Sequence, residues 1–237
     1  MIPEILSLAT LVICFLSILG VVRFFGPGGL YAYTCVAVIA SNIQVLKLTK
    51  YACTENPVAL GTVVFSSVFA VDNILNEYYG EKTAKTNLYL SFCCYLLFAV
   101  IMEIAVLHPP IEAGECHNFH AELRNLFSPC LVLFISSIIA YVVSQFADIR
   151  TYSALKRIFG EKYISARSIF TMAISTFVDN CVFSTLAWKV LAENPVSISS
   201  LCKTYIFATY FIRLIIAVLC GPLVELSGLL VHKTKNV

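Results

Sequence analysis

Charged side chains are scarce in this chain: they make up 13% of its 237 residues, against 59% hydrophobic. A soluble domain carries about 25% charged residues. Mean hydropathy is +0.85. So little charge cannot cover a soluble surface, and the chain reads as one integral membrane domain with no room for a large soluble one. Basic runs are absent, which excludes a nucleic-acid partner on electrostatic grounds. Lys and Arg number 16 against 14 Asp and Glu, so net charge points to no acidic partner either. The ten cysteines are scattered, with no Cys-x-x-Cys spacing. That argues against a disulfide framework or a zinc ribbon. Cys14, Cys35, Cys181 and Cys220 fall in apolar runs and read as small buried hydrophobes. The P-loop, G-x-S-x-G, H-E-x-x-H and dinucleotide patterns are all missing, so the chain is read as a non-enzyme without a cofactor. Met1-Ile2-Pro3-Glu4 has no basic n-region, and no small-residue cleavage pattern follows the first apolar run. The start is therefore read as a membrane helix and not as a secretory signal.

Long apolar runs are what the chain does have. A helix needs about 20 apolar residues to cross the hydrocarbon. Seven segments qualify: residues 5–25, 30–48, 58–79, 88–107, 129–150, 168–191 and 201–231. Gly26-Pro27-Gly28-Gly29, Glu55-Asn56-Pro57, His108-Pro109-Pro110 and Glu193-Asn194-Pro195 punctuate them. The last segment is too long for one straight span, and Gly221-Pro222 offers a kink. Ten of the 16 Lys and Arg fall on one set of loops, five on the other, and Arg213 lies inside a helix. By the positive-inside rule the 150–167 loop and the C-terminus face the cytoplasm. The fold class expected is all-α, a polytopic bundle of seven membrane helices.

Three aspartates interrupt these runs. Asp72 lies in FAVDN and Asp179 in FVDN, and Asp148 closes FAD. A carboxylate at bilayer depth costs roughly 2.5–3.5 kcal/mol on insertion scales. Such groups face a bundle interior and mark a substrate or ion pathway. Polar residues cluster around them at helical spacing. Ser137, Tyr141, Ser144, Gln145 and Asp148 share one face of the fifth segment. Ser67, Asp72, Asn73 and Asn76 lie on the third, and Thr171, Ser175, Asp179 and Asn180 on the sixth. Thr34, Ser41, Asn42 and Gln44 lie on the second, and Thr209 and Arg213 on the seventh. The stripes are expected to converge on one cavity. For any single Ser or Thr the plainer reading is a hydrogen bond between helices. Asp148, close to Arg150, also fits an interfacial place, and Arg213 fits a counter-ion to one aspartate.

Other features point elsewhere. Cys116, His117, His120 and nearby His108 are zinc-ligand types, but without an established ligand spacing. A solvated loop is the better reading, and no metal is expected. Glu77 and Glu103 sit toward segment ends and read as interfacial. Trp188 suits the headgroup belt. Tyr79-Gly-Glu-Lys82 and Phe159-Gly-Glu-Lys162 form a faint internal echo of the kind seen in transporters.

Four blocks carry a resemblance: SNIQVLK at 41–47, VFAVDNILNEYYG at 68–80, SQFADIRTYSALKR at 144–157 and STFVDNCVFSTLAW at 175–188. In their order and spacing, with Arg213 and Pro222 downstream, they resemble the queuosine precursor transporter family, part of the bacterial vitamin uptake transporter group. The resemblance covers roughly residues 30–231. It implies six core helices similar to the substrate-binding components of energy-coupling-factor vitamin transporters. It divides the chain into an extra N-terminal helix, 1–27, and a transporter core, 28–237. It implies a bacterial inner-membrane protein that salvages a 7-deazaguanine for tRNA modification: the cyano or aminomethyl precursor, or queuine.

A guanine-like edge offers two donors beside an acceptor. A carboxylate can accept from both donors, and Asn, Gln or Arg can donate to the acceptor. The candidate substrate-binding residues are therefore Asn42, Asp72, Asn73, Gln145, Asp148, Asp179, Asn180 and Arg213. The expected partners are a small purine-like molecule and the lipid bilayer. An energising module or a second copy of the chain remains open. Two other readings stand beside the transporter. One is a binding component that serves a separate energising module and takes another vitamin-like molecule. The other is a structural membrane protein.

Overall fold

The computed structural model describes residues 2–51, 58–109, 116–127, 131–192 and 194–234. The first helix, α1, runs from Ile2 to Gln44. At 1.5 Å per residue it is about 65 Å long, twice the hydrocarbon thickness. It breaks at Gly26, whose φ of 57° and ψ of −139° suit a residue without Cβ. Pro27 then opens the second half, where its missing N–H is no loss. A two-residue antiparallel pairing follows, β1 (Leu48–Thr49) with β2 (Val58–Ala59). The sequence reading assigned both strands to membrane segments. The predicted break at Glu55-Asn56-Pro57 lies outside the described residues, as do Pro110 and Glu193 of two other breaks.

Next come α2 (Thr62–Tyr78), α3 (Glu81–Leu107), α4 (Cys116–Phe127) and α5 (Leu131–Phe159). They are followed by α6 (Ile164–Thr185) with a π-helical turn at Leu186–Val190, then a short α7 (Ile198–Ser200). A π-helical stretch, Leu201–Phe207, leads into α8 (Ala208–Thr234). The irregularity in the last segment lies in this stretch. At Gly221-Pro222, where the sequence offers a kink, α8 runs on through Pro222.

Among the described residues, five helices are long and apolar enough to cross a membrane. The molecule is an all-α membrane helix bundle. Leucine, isoleucine and phenylalanine side chains line the exposed faces of α1, α3 and α8, as a lipid-facing surface requires.

The 17-residue α2 sits at the centre. Every residue from Thr62 to Glu77 except Phe65 is buried, against neighbours on α1, α3, α5, α6 and α8. It joins α1 at close range. A Cβ on Gly61 would meet the backbone oxygen of Ser41 at 2.3 Å. Overpacking of this kind typically costs about 1–3 kcal/mol. Gly61→Ala is therefore expected to lower the melting temperature by several degrees. An unchanged melt would show that α1 and α2 can part without loss.

Two expectations about the 150–167 stretch are corrected. It is mostly helix, because α5 continues to Phe159. Its last residue, Arg167, is buried and ion-paired to Glu77, and Glu77 is itself buried and not interfacial. Both moved inward for one reason: each neutralises the other's charge.

Candidate functional site

The polar stripes come together in two tiers. The upper tier lines a partly open cavity of about 70 Å³. Its wall takes Ser41 and Asn42 from α1, Thr62 and Phe65 from α2, and Ser137 from α5. Asp179 and Phe183 come from α6, and Arg213 from α8. Asn42 is held by the turn beneath it: its Nδ2 donates to the Val38 carbonyl at 2.8 Å, and its Oδ1 accepts from Ser137 Oγ at 2.8 Å. The Arg213 guanidinium donates through NH1 to Asp179 Oδ2. Ser144 Oγ donates to the other carboxylate oxygen at 3.3 Å. Arg213 also sits over the Phe65 ring, 5.8 Å from its centroid. Its Nε has no partner among the described residues.

This wall offers a hydrogen-bonding carboxylate, a cation, a carboxamide and two phenyl rings. Ion pair and ring stack fix the guanidinium in one plane. The set suits a flat, polar-edged heterocycle: rings cover its faces while carboxylate and guanidinium meet its edge.

Asn180 stands beside Asp179 but does another job. Its Nδ2 donates to Thr209 Oγ1 at 2.7 Å and to the Ile206 carbonyl at 3.0 Å. It thus fastens α6 to the junction where the π-helical stretch becomes α8, the backbone irregularity that often marks a working site.

The lower tier holds the other candidates, and none of them lines the cavity. Asp72 accepts from Asn87 Nδ2 at 2.8 Å, and Asn87 also donates to Thr34 Oγ1 at 3.1 Å. Asn73 donates to Ser168 Oγ at 2.9 Å. Asp148 accepts from Ser175 Oγ at 2.7 Å. It is fully buried, so the interfacial reading fails for it. Gln145 is equally buried and has no partner. Of the eight candidates, Asn42, Asp179 and Arg213 meet at the cavity, Asn180 braces it, and Asp72, Asn73, Gln145 and Asp148 lie below.

Sequence reasoning missed several participants. Asn87 near the start of α3 follows the charged Glu81–Lys85 stretch and reads as part of a solvated helix start. Phe65 and Phe183 look like any lipid-facing aromatic. Glu77 and Arg167 sit next to polar residues, Asn76 and Ser168, at segment ends, and they lie 90 residues apart, so nothing along the chain pairs them. Residues 112–115 lie outside the described residues, and Cys116 to His120, expected in a solvated loop, open helix α4. Among the described ones no group of three His, Cys, Asp or Glu could hold a metal ion.

The family described as "Putative vitamin uptake transporter" has a model that matches residues 59–227. The chain belongs to this family. The match runs from β2 into α8 and so covers four of the five helices that build the cavity. A related protein of Bacillus subtilis (strain 168), named "Probable queuosine precursor transporter", is 27% identical over 207 residues. The alignment covers 86% of this chain and 88% of that protein. No solved structure gives a significant match. As a member of a transporter family, the chain is an integral membrane protein whose business is a small molecule and not a surface-bound macromolecule.

Proposed function

We propose that this vitamin uptake transporter imports a 7-deazaguanine queuosine precursor, and that the cargo binds in the upper cavity. The observation that carries the reading is the Asp179–Arg213 pair at the cavity wall beside Phe65. The Asp179 carboxylate accepts from the N1–H and 2-amino donors of the cargo. Arg213 and Asn42 serve its O6 acceptor, and Phe65 and Phe183 cover its faces. Sites that hydrogen-bond their ligand reject analogues lacking the partner group by large factors. Asp72, Asn73, Gln145 and Asp148 support the cavity from below and do not touch the cargo in this arrangement.

The α1 halves on either side of Gly26 each cross the membrane, as does the short α2, giving seven spans in all. Residues 1–27 then form an added helix on a six-helix core. The protein sits in the bacterial cytoplasmic membrane with its C-terminus inside. Reporter fusions after Lys162 and Val237 should both read cytoplasmic, and an external signal at either would refute the topology.

The cargo is tested by thermal melting of the purified protein against queuine, the cyano and aminomethyl precursors, guanine and a vitamin unrelated to purines. The deazaguanines should raise the melting temperature by several degrees at a hundredfold excess over Kd, where ligand binding contributes about 2.7 kcal/mol. A response only to the unrelated vitamin, or to nothing, overturns the assignment.

A further inference from the structure

Among the described residues, the lower tier contains two carboxylates and no cation. Asp72 on α2 and Asp148 on α5 are both fully buried. Asp72 lies within electrostatic range of Asp148 and of Tyr141. Their hydrogen-bond partners among the described residues are neutral: Asn87 for Asp72 and Ser175 for Asp148. The nearby arginines are committed elsewhere, half-buried Arg213 to Asp179 and buried Arg167 to Glu77. Lys156 lies against Glu77. Two neighbouring carboxylates in a dry interior cannot both stay ionised without a positive partner.

Around them lies a second set of groups that lack hydrogen-bond partners among the described residues. Asp148 Oδ2 has none. Gln145, one turn before Asp148 on the same face of α5, is 0% exposed, and neither its Oε1 nor its Nε2 is hydrogen-bonded. Thr171 Oγ1, one turn before Ser175 on α6, is likewise buried and unpartnered, as are Asn73 Oδ1 and Asn87 Oδ1. Buried polar groups in folded proteins are nearly always satisfied. So many oxygens left open around two carboxylates describe a ligand set. Carboxylate, carboxamide and hydroxyl oxygens together are the donors a hard cation takes. Three hydrogen bonds fix the frame: Asn73 to Ser168 joins α2 to α6, Ser175 to Asp148 joins α6 to α5, and Asn87 to Asp72 joins α3 to α2.

This cluster is distinct from the cargo cavity. Ser137 lines the cavity and Asp148 follows eleven residues later on α5, about 16 Å along the helix. Tyr141 and Ser144 lie between. The Tyr141 ring meets the cavity-lining Phe65 edge-on at 6.0 Å, and Ser144 reaches Asp179. A charge arriving below is thus one residue layer from the groups that hold cargo above.

We propose that Asp148 and Asp72, with Gln145 and Thr171, bind a monovalent cation, Na⁺ or H⁺, whose entry is coupled to cargo binding at Asp179. The coupling rests on the transport reading, whereas the cation site itself does not. Either cation supplies the missing positive charge. Na⁺ would use the open oxygens as ligands, and a proton would sit on a carboxylate and donate to Gln145 Oε1 or to the other aspartate. Tyr141 on α5 is the titratable group that faces this cluster; Asp179, one turn beyond Ser175 on α6, is paired with Arg213, and Glu77 with Arg167.

The test uses the cargo-free protein in detergent, so it stays informative if the deazaguanine assignment fails. Melting is followed while NaCl replaces choline chloride at constant ionic strength, and then across acidic to alkaline buffers without sodium. For a sodium site, saturating Na⁺ raises the melting temperature by about 5 °C or more. Thr171→Val weakens that rise, and Asp148→Asn, which keeps the acceptor for Ser175, abolishes it. For a proton site, sodium has no effect and the acid-to-alkaline shift is reduced in Asp148→Asn and in Asp72→Asn. Thr171→Val leaves that shift unchanged. A wild-type melt that answers to neither ion, or variants that keep the full response, overturn the proposal and leave the cluster filled by water alone.

Discussion

Arg167→Ala lowers the stability of the bundle by about 3–5 kcal/mol, the usual cost of stranding one member of a buried ion pair. The Glu77 and Arg167 side chains are only 4% and 2% exposed. Arg167 NH2 donates to Glu77 Oε2 at 2.9 Å, and Tyr152 OH donates to the same oxygen at 3.0 Å. Arg167 also binds the Gly160 carbonyl and lies 5.4 Å from the Tyr152 ring centroid. One side chain therefore joins α2, α5, α6 and the turn between the last two. Lys156, 3.7 Å from Glu77 and one-third exposed, can offset part of the loss. The check is a double-mutant cycle by thermal melting. Adding Glu77→Gln to Arg167→Ala should recover a large part of the lost stability, since the unpaired charge disappears. Equal melting of wild type and Arg167→Ala would show that the pair holds nothing together.

Asp179→Asn is expected to cut deazaguanine uptake at least tenfold. Asparagine keeps one acceptor and turns the other oxygen into a donor, which then faces the cargo's donors and Arg213 alike. Losing a hydrogen bond to a charged group costs about 1.5–3 kcal/mol, which corresponds to tenfold or more in affinity. Stability should fall too, but by less than for Arg167→Ala. Arg213 is 14% exposed and opens on the cavity, so water can solvate the freed guanidinium. On charge alone, removing a buried carboxylate should stabilise the cargo-free protein. The Arg213 pairing reverses that sign at Asp179. Asp72 has no cation beside it, so there the original sign stands. Uptake and cargo-free melting measured together decide the case. Normal uptake with a lowered melt would reduce Asp179 to a structural partner of Arg213.

Much of this was legible in the chain. Hydropathy gave the long helices, because a bilayer forces every spanning backbone to bond within itself. Gly26-Pro27 gave the break in α1, since few other pairs tolerate that geometry. The helical spacing of polar residues gave the inward face of α5, and the pairing of Arg213 with one aspartate was among the options the charges allowed. Other features were not legible. The ends of α5 and α6 were misplaced because Arg150, Lys156 and Arg167 look like loop charges, and only the fold shows Lys156 and Arg167 beside Glu77. The β1–β2 pairing is two residues long and leaves no periodic trace.

The sequence by itself determined that this is a helical membrane protein of the vitamin uptake transporter family, with carboxylates turned inward. Those conclusions rest on composition and local order, which need no knowledge of neighbours. Only the tertiary structure decided which carboxylate meets which cation. Asp72, Asp148 and Asp179 read alike along the chain, each an acid in an apolar run. Packing gave Asp179 an arginine and a cavity, gave Asp148 a serine and an unfilled oxygen, and gave Asp72 an asparagine from α3. The energy of a buried charge is set by what lies within a few ångströms, and those neighbours come from other helices, 15, 27 and 34 residues away along the chain.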